Sequence, residues 1–133
     1  MTISAELNSD TAREQVAQMT GALDRGDVDT YLQPFAEDSR FRFANQDPVK
    51  GRNNIRDAVA GAVAGLGGTR RAIVDVWYQS DTIIAEFDID LGVDTGKPVT
   101  LPCVSVIRLR DGLVVDFRIN MDASPAFSGS GPS

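Results

Sequence analysis

The sequence predicts an α+β fold in which helices lie on one side of a curved, mostly antiparallel sheet. Its first half contains three segments whose apolar residues recur at helical spacing, and one short strand pattern. Its second half alternates apolar and polar residues in four consecutive segments separated by short turns. Helices followed by a run of strands are typical of this class, because neither half can bury its apolar face alone.

The first helix is predicted over residues 11–25. Thr11 and Glu14 have the spacing of a capping box, and Gly26 is placed to end the helix. One face of this segment is apolar and is expected to enter the core: Ala12, Val16, Met19 and Leu23.

A second, shorter helix is predicted after Asp27, a candidate N-cap, with Tyr31 and Phe35 on its buried face. Pro34 lies late in that segment and should bend or loosen it. The third helix is predicted over residues 53–66, with many alanines and glycines that favour close packing against a sheet.

Strands are predicted between and after these helices. The early one reads SRFRFAN, in which Phe41 and Phe43 alternate with arginines. The later four read RAIVDVWYQ, TIIAEFDIDLGV, VTLPCVSVIRLR and LVVDFRINM, joined by turns rich in Asp, Gly, Ser and Pro. We expect residues 1–125 to form one domain and residues 126–133 to be a flexible Gly/Ser/Pro tail.

The composition restricts the partners of the protein. Of the 133 residues, 19 are acidic and 13 are basic, so nucleic acid and anionic membranes are expected to be repelled. No apolar run is long enough to span a bilayer, and the first ten residues lack the features of a signal peptide. A cytoplasmic location is therefore expected.

The absence of histidine restricts the chemistry further. Without histidine, a Ser-His or Cys-His nucleophile pair and the usual zinc ligand are excluded. The single cysteine, Cys103, excludes an intrachain disulfide and is expected to be a buried, unreactive thiol. We predict no metal and no organic cofactor, so acid–base chemistry would depend mainly on carboxylates.

Three carboxylates recur at every second position of the segment IAEFDID: Glu86, Asp88 and Asp90. In a strand they must lie on one face. Periodicity alone favours a hydrated face, with the apolar residues between them in the core. The alternative is a face that looks into a cavity, where burial and a like charge would raise the pKa of Asp88 toward neutrality. The pattern leaves both interpretations open.

The order of these elements resembles the nuclear transport factor 2-like superfamily, and within it the SnoaL-like small bacterial proteins. The resemblance is carried by the stretches GDVDTYLQPFAEDSRFRF, DPVKGRNNIRDAV and LRDGLVVDFRINMD. It implies a cone, also called the cystatin-like fold, in which a bent sheet wraps over three N-terminal helices around a deep pocket. Members of the superfamily include polyketide cyclases, ketosteroid isomerases, limonene-epoxide hydrolases and non-catalytic binders, so the fold alone does not assign a function.

The resemblance also implies where catalytic residues would lie. The positions that match the catalytic residues of ketosteroid isomerases hold Met19, Phe43 and Ser105, so that mechanism is not expected. Among the positions that match limonene-epoxide hydrolases, Asp88 alone is kept, as the acid toward the epoxide oxygen. Glu86, Ile119, Phe41 and Phe43 replace the rest.

The same alignment predicts which side chains line the pocket. Those expected to point inward are Phe41, Phe43, Glu86, Asp88, Ser105 and Ile119. Those expected to point outward are Phe87, Ile89, Val104 and Val106. An outer face so rich in apolar residues predicts a homodimer through that face.

Two function classes follow. In the first, the protein is a cofactor-free isomerase, cyclase or epoxide hydrolase, with Asp88 as the proton-transfer group and Glu86 as its helper. In the second, it binds a small hydrophobic molecule without catalysis. Trp77 and Tyr31 are further candidate ligand-binding residues in either class, although core packing is the more ordinary role for a strand aromatic such as Trp77 and an equally ordinary one for Tyr31.

Overall fold

A computed structural model describes residues 8–122 and residue 124, and it confirms the predicted α+β class. The helices are α1 (Ser9–Asp24), α2 (Val28–Leu32) and α3 (Arg52–Gly65). The strands are β1 (Phe35–Phe43), β2 (Val49–Lys50), β3 (Thr69–Gln79), β4 (Thr82–Leu91), β5 (Val99–Arg110) and β6 (Leu113–Asn120). A 3₁₀ turn, Val93–Thr95, joins β4 to β5. The predicted tail at residues 126–133 lies outside the described residues, and none of the described helices is long and apolar enough to cross a membrane.

The first helix begins two residues earlier than predicted. The capping box is formed by Asn8 and Thr11, because the Asn8 side chain accepts from the Thr11 backbone and the Thr11 hydroxyl accepts from the Asn8 backbone. Gly26 follows the helix with φ 78°, as its predicted terminating role requires. All four residues of the predicted apolar face are buried.

The second helix is shorter than predicted. Asp27 caps it as expected and accepts a hydrogen bond from the Thr30 backbone at 3.2 Å. The helix ends at Leu32, and Phe35 begins β1 instead of ending the helix, because Pro34 has no backbone N–H with which to continue the helical hydrogen bonds. Tyr31 and Phe35 are nevertheless both buried.

The six strands form one sheet in the order β2-β1-β6-β5-β4-β3. Among the residues that the structure describes, only the pairing of β1 with β6 is parallel, and the other four pairings are antiparallel. Helix α1 packs against β3, and α3 packs against β1. We call the sheet face toward the helices the inner face and the opposite one the outer face.

The orientation of β4 contradicts the predicted inward carboxylates. Its inner face carries a buried apolar row: Ile83, Ala85, Phe87, Ile89 and Leu91. Asp88 is exposed and Glu86 is half-buried on the outer face. The predicted inward position of Glu86 and Asp88 and the predicted outward position of Phe87 and Ile89 were therefore wrong. The physical reason is that removing five apolar side chains from water is favourable, whereas burying unpaired carboxylates is costly.

A β-bulge in β3 decides the orientation of Trp77. The register with β4 shifts between Ile73 and Asp75, so that Ile73 and Val76 both face inward. Trp77 then faces outward and is 47% exposed. Val104 and Val106 lie on the same outer face, as predicted.

Aromatic side chains form the centre of the core between α2 and the sheet. The ring of Phe117 lies 5.6 Å from that of Phe35, in a stacked arrangement, and 5.8 Å from those of Tyr31 and Phe41. Such offset and edge contacts add to the stabilisation from burial. These ring contacts hold the Tyr31 side chain between the helices and the sheet.

Candidate functional site

A cavity of about 370 Å³ lies between the helices and the inner face of the sheet. Its walls are mainly apolar and come from α1, α3 and the inner-facing positions of β1, β4, β5 and β6. Representative wall residues are Leu23, Val59, Val63, Leu66, Phe87, Ile89, Leu91 and Phe117. This volume lies within the range of pockets that hold small organic molecules.

Five of the predicted ligand-binding residues line this cavity: Tyr31, Phe41, Phe43, Ser105 and Ile119. The register explains why four of them meet. Phe43 lies opposite Ile119, Ile119 lies opposite Ser105, and Phe41 lies one inner position further along β1. The structure places all five at the cavity wall, and their role in binding a ligand stays a prediction.

The sixth residue and both predicted catalytic carboxylates lie elsewhere. Trp77, Glu86 and Asp88 are on the outer face, and none of them lines the cavity. The sheet separates Asp88 from the cavity, because its neighbour Phe87 is the residue that points inward. A mechanism in which Asp88 transfers a proton inside the pocket therefore lacks its geometric basis.

An arginine that the sequence did not single out is the main charged group of the cavity wall. The side chain of Arg71, on β3, is 10% exposed and forms an ion pair with Asp24 at the end of α1, whose side chain is 20% exposed. Asp24 also accepts from the Thr69 hydroxyl at 2.8 Å and from the Arg71 backbone at 2.9 Å. Asp24 thus holds β3 against α1.

The remaining donors of this arginine are uncommitted. Its hydrogen bonds to Asp24 and to the Thr69 hydroxyl, the latter 3.0 Å long, both leave from Nη1. Nε and Nη2 bond to no residue that the structure describes. A guanidinium that is nine-tenths buried while two of its nitrogens lack a protein partner can bind a further acceptor in the cavity.

Tyr31 and Cys103 are the titratable neighbours of this charge. Burial raises the pKa of Tyr31 strongly, and the positive charge of Arg71 opposes part of that rise. Burial likewise raises the pKa of the Cys103 thiol, against smaller opposing effects of the Ser105 hydroxyl and of Arg71. Both groups therefore stay protonated at neutral pH, and the Tyr31 hydroxyl bonds to no other described residue.

Three polar groups in the buried part of the cavity can donate hydrogen bonds to a ligand. Tyr31, Ser105 and Arg71 present hydroxyl or guanidinium hydrogens at its buried part. The carboxylate and amide of Asp47 and Gln46 lie at the exposed mouth, where Ala58 and Ala62 of α3 also reach the cavity. A ligand whose polar atoms are acceptors would fit this distribution.

No cluster of carboxylates, cysteine or histidine suited to a metal ion occurs among residues 8–122 and 124. The cavity offers a positive charge, neutral donors and a mainly apolar wall. These groups can bind and polarise an oxygen atom.

Residues 16–117 match the SnoaL-like domain. The chain belongs to this family. No curated protein sequence matches it. The SnoaL-like chain also resembles solved structures of the nuclear transport factor 2-like fold, all at identities that establish the fold alone.

Three structural neighbours of this SnoaL-like protein illustrate the range of the fold. A putative SnoaL-like polyketide cyclase from Jannaschia sp. has a TM-score of 0.80 at 18% identity, covering 98% of this chain and 99% of its own. An LEH-like epoxide hydrolase from M. tuberculosis has a TM-score of 0.72 at 18% identity, covering 91% and 90%. A hypothetical protein from Catenulispora acidiphila with a ketosteroid isomerase-like fold, in complex with trimethylamine, has a TM-score of 0.77 at 18% identity, covering 89% and 92%.

Proposed function

We propose that this SnoaL-like protein binds a small, mostly apolar organic molecule in the cavity. The supporting observation is an apolar space of about 370 Å³ in which the Tyr31 hydroxyl has no partner among the described residues. Apolar cavities with a few convergent polar groups are the usual form of small-molecule sites. The complex of a structural neighbour with a small organic molecule is compatible with this proposal.

Binding without catalysis is the better-supported of the two function classes. The isomerase, cyclase and hydrolase hypotheses depended on a carboxylate inside the pocket, and both candidates lie outside it. Among the described residues, the one carboxylate that lines the cavity is that of Asp47, which is exposed at the mouth. A base that is in water at the entrance is poorly placed to act on a molecule held deep in the cavity.

The test uses N-phenyl-1-naphthylamine, a neutral probe that fluoresces in apolar surroundings, and two variants of one helix. Ala62 and Ala64 are both exposed on α3, but only Ala62 lines the cavity. We expect Ala62→Trp to block the mouth and weaken probe binding at least about tenfold, while Ala64→Trp binds as the wild type does. Equal binding by the two variants, or no binding by the wild type, would contradict the proposal.

We also propose that the protein forms a homodimer through the outer face. Four large apolar side chains are exposed there: Val74, Trp77, Ile84 and Val104. Beside them, Asp75, Glu86 and Asp88 have no cationic partner among the described residues.

The outer-face row formed by Trp77, Ile84 and Val106 continues into Arg118, and Arg108 lies one outer position further, on the side away from Glu86. Both arginines share the single carboxylate of Asp116. A two-fold axis along the row Trp77–Ile84–Val106 would place the acidic side of one copy on the basic side of the other. A second copy of this chain therefore fits the face by both polarity and charge.

A further inference from the structure

We infer that the cavity takes a ligand with an anionic oxygen group, such as a carboxylate, phenolate or enolate, bound by the free nitrogens of Arg71 and by the Tyr31 hydroxyl. This inference rests on the proposed function and names the chemical class of its ligand. The rest of the ligand would be apolar, to match the walls.

The first argument is the state of the arginine. Burying a guanidinium is costly unless its donors are satisfied, and only Nη1 is satisfied by described residues. Two parallel donors of one guanidinium match the two oxygens of a carboxylate. The structure holds these donors in place in advance, since Asp24 and Thr69 fix the rest of the side chain.

The second argument is the sign of the local charge. Asp24 balances Arg71 overall, but both of its oxygens are engaged by Thr69 and by Arg71 itself. Arg71, and not Asp24, lines the cavity. A ligand in the cavity therefore meets the guanidinium of Arg71, while the Asp24 carboxylate lies on the far side of it. This arrangement favours an anionic ligand over a cationic one.

The third argument is the distribution of donors and acceptors. Tyr31 and Ser105 are buried hydroxyls of the cavity wall and can donate to the same ligand. Thr20 is also at the wall, but its hydroxyl donates to the Val16 carbonyl at 2.9 Å. The hydroxyl oxygens of Tyr31 and Ser105 can also accept, but among the described residues no carboxylate lines the buried part of the cavity. A cationic ligand such as an ammonium is therefore disfavoured beside Arg71.

The test compares 2-naphthoate with 2-acetylnaphthalene by calorimetric titration. The two have the same rings and nearly the same shape, but only the first is charged. In the double variant Asp24→Asn/Arg71→Met, which removes both charges, we expect naphthoate affinity to fall at least about tenfold, equivalent to about 1.4 kcal/mol. Affinity for the neutral ketone should fall clearly less, because an uncharged oxygen gains less from a guanidinium than a carboxylate does.

Two further variants test whether the effect comes from the contacts of Arg71 with the ligand or only from the net charge of the protein. Asp24→Asn alone keeps Arg71 and removes the competing carboxylate, so naphthoate should bind more tightly than to the wild type. Arg70→Met removes the same charge from the neighbouring residue, whose side chain is 66% exposed and pairs with Asp90. Its naphthoate affinity should match that of the wild type.

The outcomes distinguish this inference from the proposed function. Ketone binding that Ala62→Trp abolishes, together with naphthoate binding that is absent or unaffected by the double variant, would overturn the anionic ligand and leave the cavity function standing. Binding of both ligands that Ala62→Trp leaves unchanged would overturn both proposals. Naphthoate binding that is weakened by Ala62→Trp and also by the double variant supports both the cavity function and the anionic ligand.

Discussion

Phe87 of β4 lies directly opposite Cys103 of β5, and both side chains line the cavity. Asp88, one residue further, lies opposite Pro102 on the outer face. This single pairing assigns the alternating residues of two strands to their faces, because side chains of cross-strand partners share a face.

Substitutions at two adjacent positions of β4 should therefore have opposite consequences. Asp88→Asn should leave probe binding unchanged and alter the free energy of unfolding by less than about 0.5 kcal/mol, as is usual for exposed positions. Phe87→Ala should destabilise the protein by about 3 kcal/mol, because the ring is buried. Urea denaturation measures both. A loss of probe binding in Asp88→Asn at normal stability would restore a role for that carboxylate.

The ion pair between Asp24 and Arg71 should be strongly coupled. Asp24→Ala or Arg71→Met alone should destabilise the fold by about 3 kcal/mol, because each leaves a mostly buried charge without its partner. The double variant should be less destabilised than the sum of the two. A double-mutant cycle from urea denaturation gives this coupling.

The pair Arg70–Asp90, on the outer face, is the matched control for that cycle. Its N–O distance is 3.3 Å, but the Arg70 side chain is 66% exposed, so its coupling should be far smaller. Similar coupling in the two pairs would mean that burial does not distinguish them.

Tyr31 should make the protein sensitive to alkali. Its pKa is raised by burial from an ordinary value of 10.0, so the folded state holds the phenol proton more tightly than the unfolded state does. The contribution of Tyr31 to stability is fully present below about pH 10 and is lost as the pH rises toward the folded-state pKa.

Tyr31→Phe should lose less stability than the wild type between pH 9 and about pH 11. Thermal unfolding across this range measures the difference. Parallel pH profiles would show that the phenol is not shielded from water.

Trp77 should control self-association. Light scattering at tens of micromolar is expected to give twice the monomer mass for the wild type and the monomer mass for Trp77→Glu, which places a charge in the apolar row. A wild type that is monomeric under these conditions would contradict the proposed dimer.

The charges beside that row allow a rescue experiment. Glu86→Arg and Arg108→Glu should each weaken the dimer by placing like charges together, and the double variant should restore it. Restoration is expected only if the two residues meet across a two-fold axis, so a doubly weakened dimer would indicate a different arrangement.

The sequence predicted the location of the helices and strands better than it predicted which side chains of β4 point into the cavity. Apolar spacing located the buried face of α1, and Gly26 located its end, because both are local effects. Plain alternation in IAEFDID favoured the observed orientation, whereas the resemblance suggested the other. A register change of one residue moves every side chain of a strand to the opposite face, so an alignment error of that size reverses a whole set of candidate residues.

Two features of the site had no local signal. Trp77 faces outward because of a bulge at residues 73–75, which alternation cannot show. Arg71 and Asp24 are 47 positions apart, and each resembles an ordinary surface charge in the sequence. Their pairing depends on how α1 packs against β3, which only the tertiary structure shows.

The parallel pairing of β1 with β6 also affects how the protein can be made. Phe41 and Phe43 lie beside Phe117 and Ile119, so the earliest strand is joined to the rest of the sheet only by the last, since its other neighbour is the two-residue strand β2. During synthesis on the ribosome, the cavity cannot close until β6 has left the exit tunnel. A chain truncated before β6 would expose an unpaired, apolar strand edge. Small-molecule binding would then report that β6 has joined the sheet.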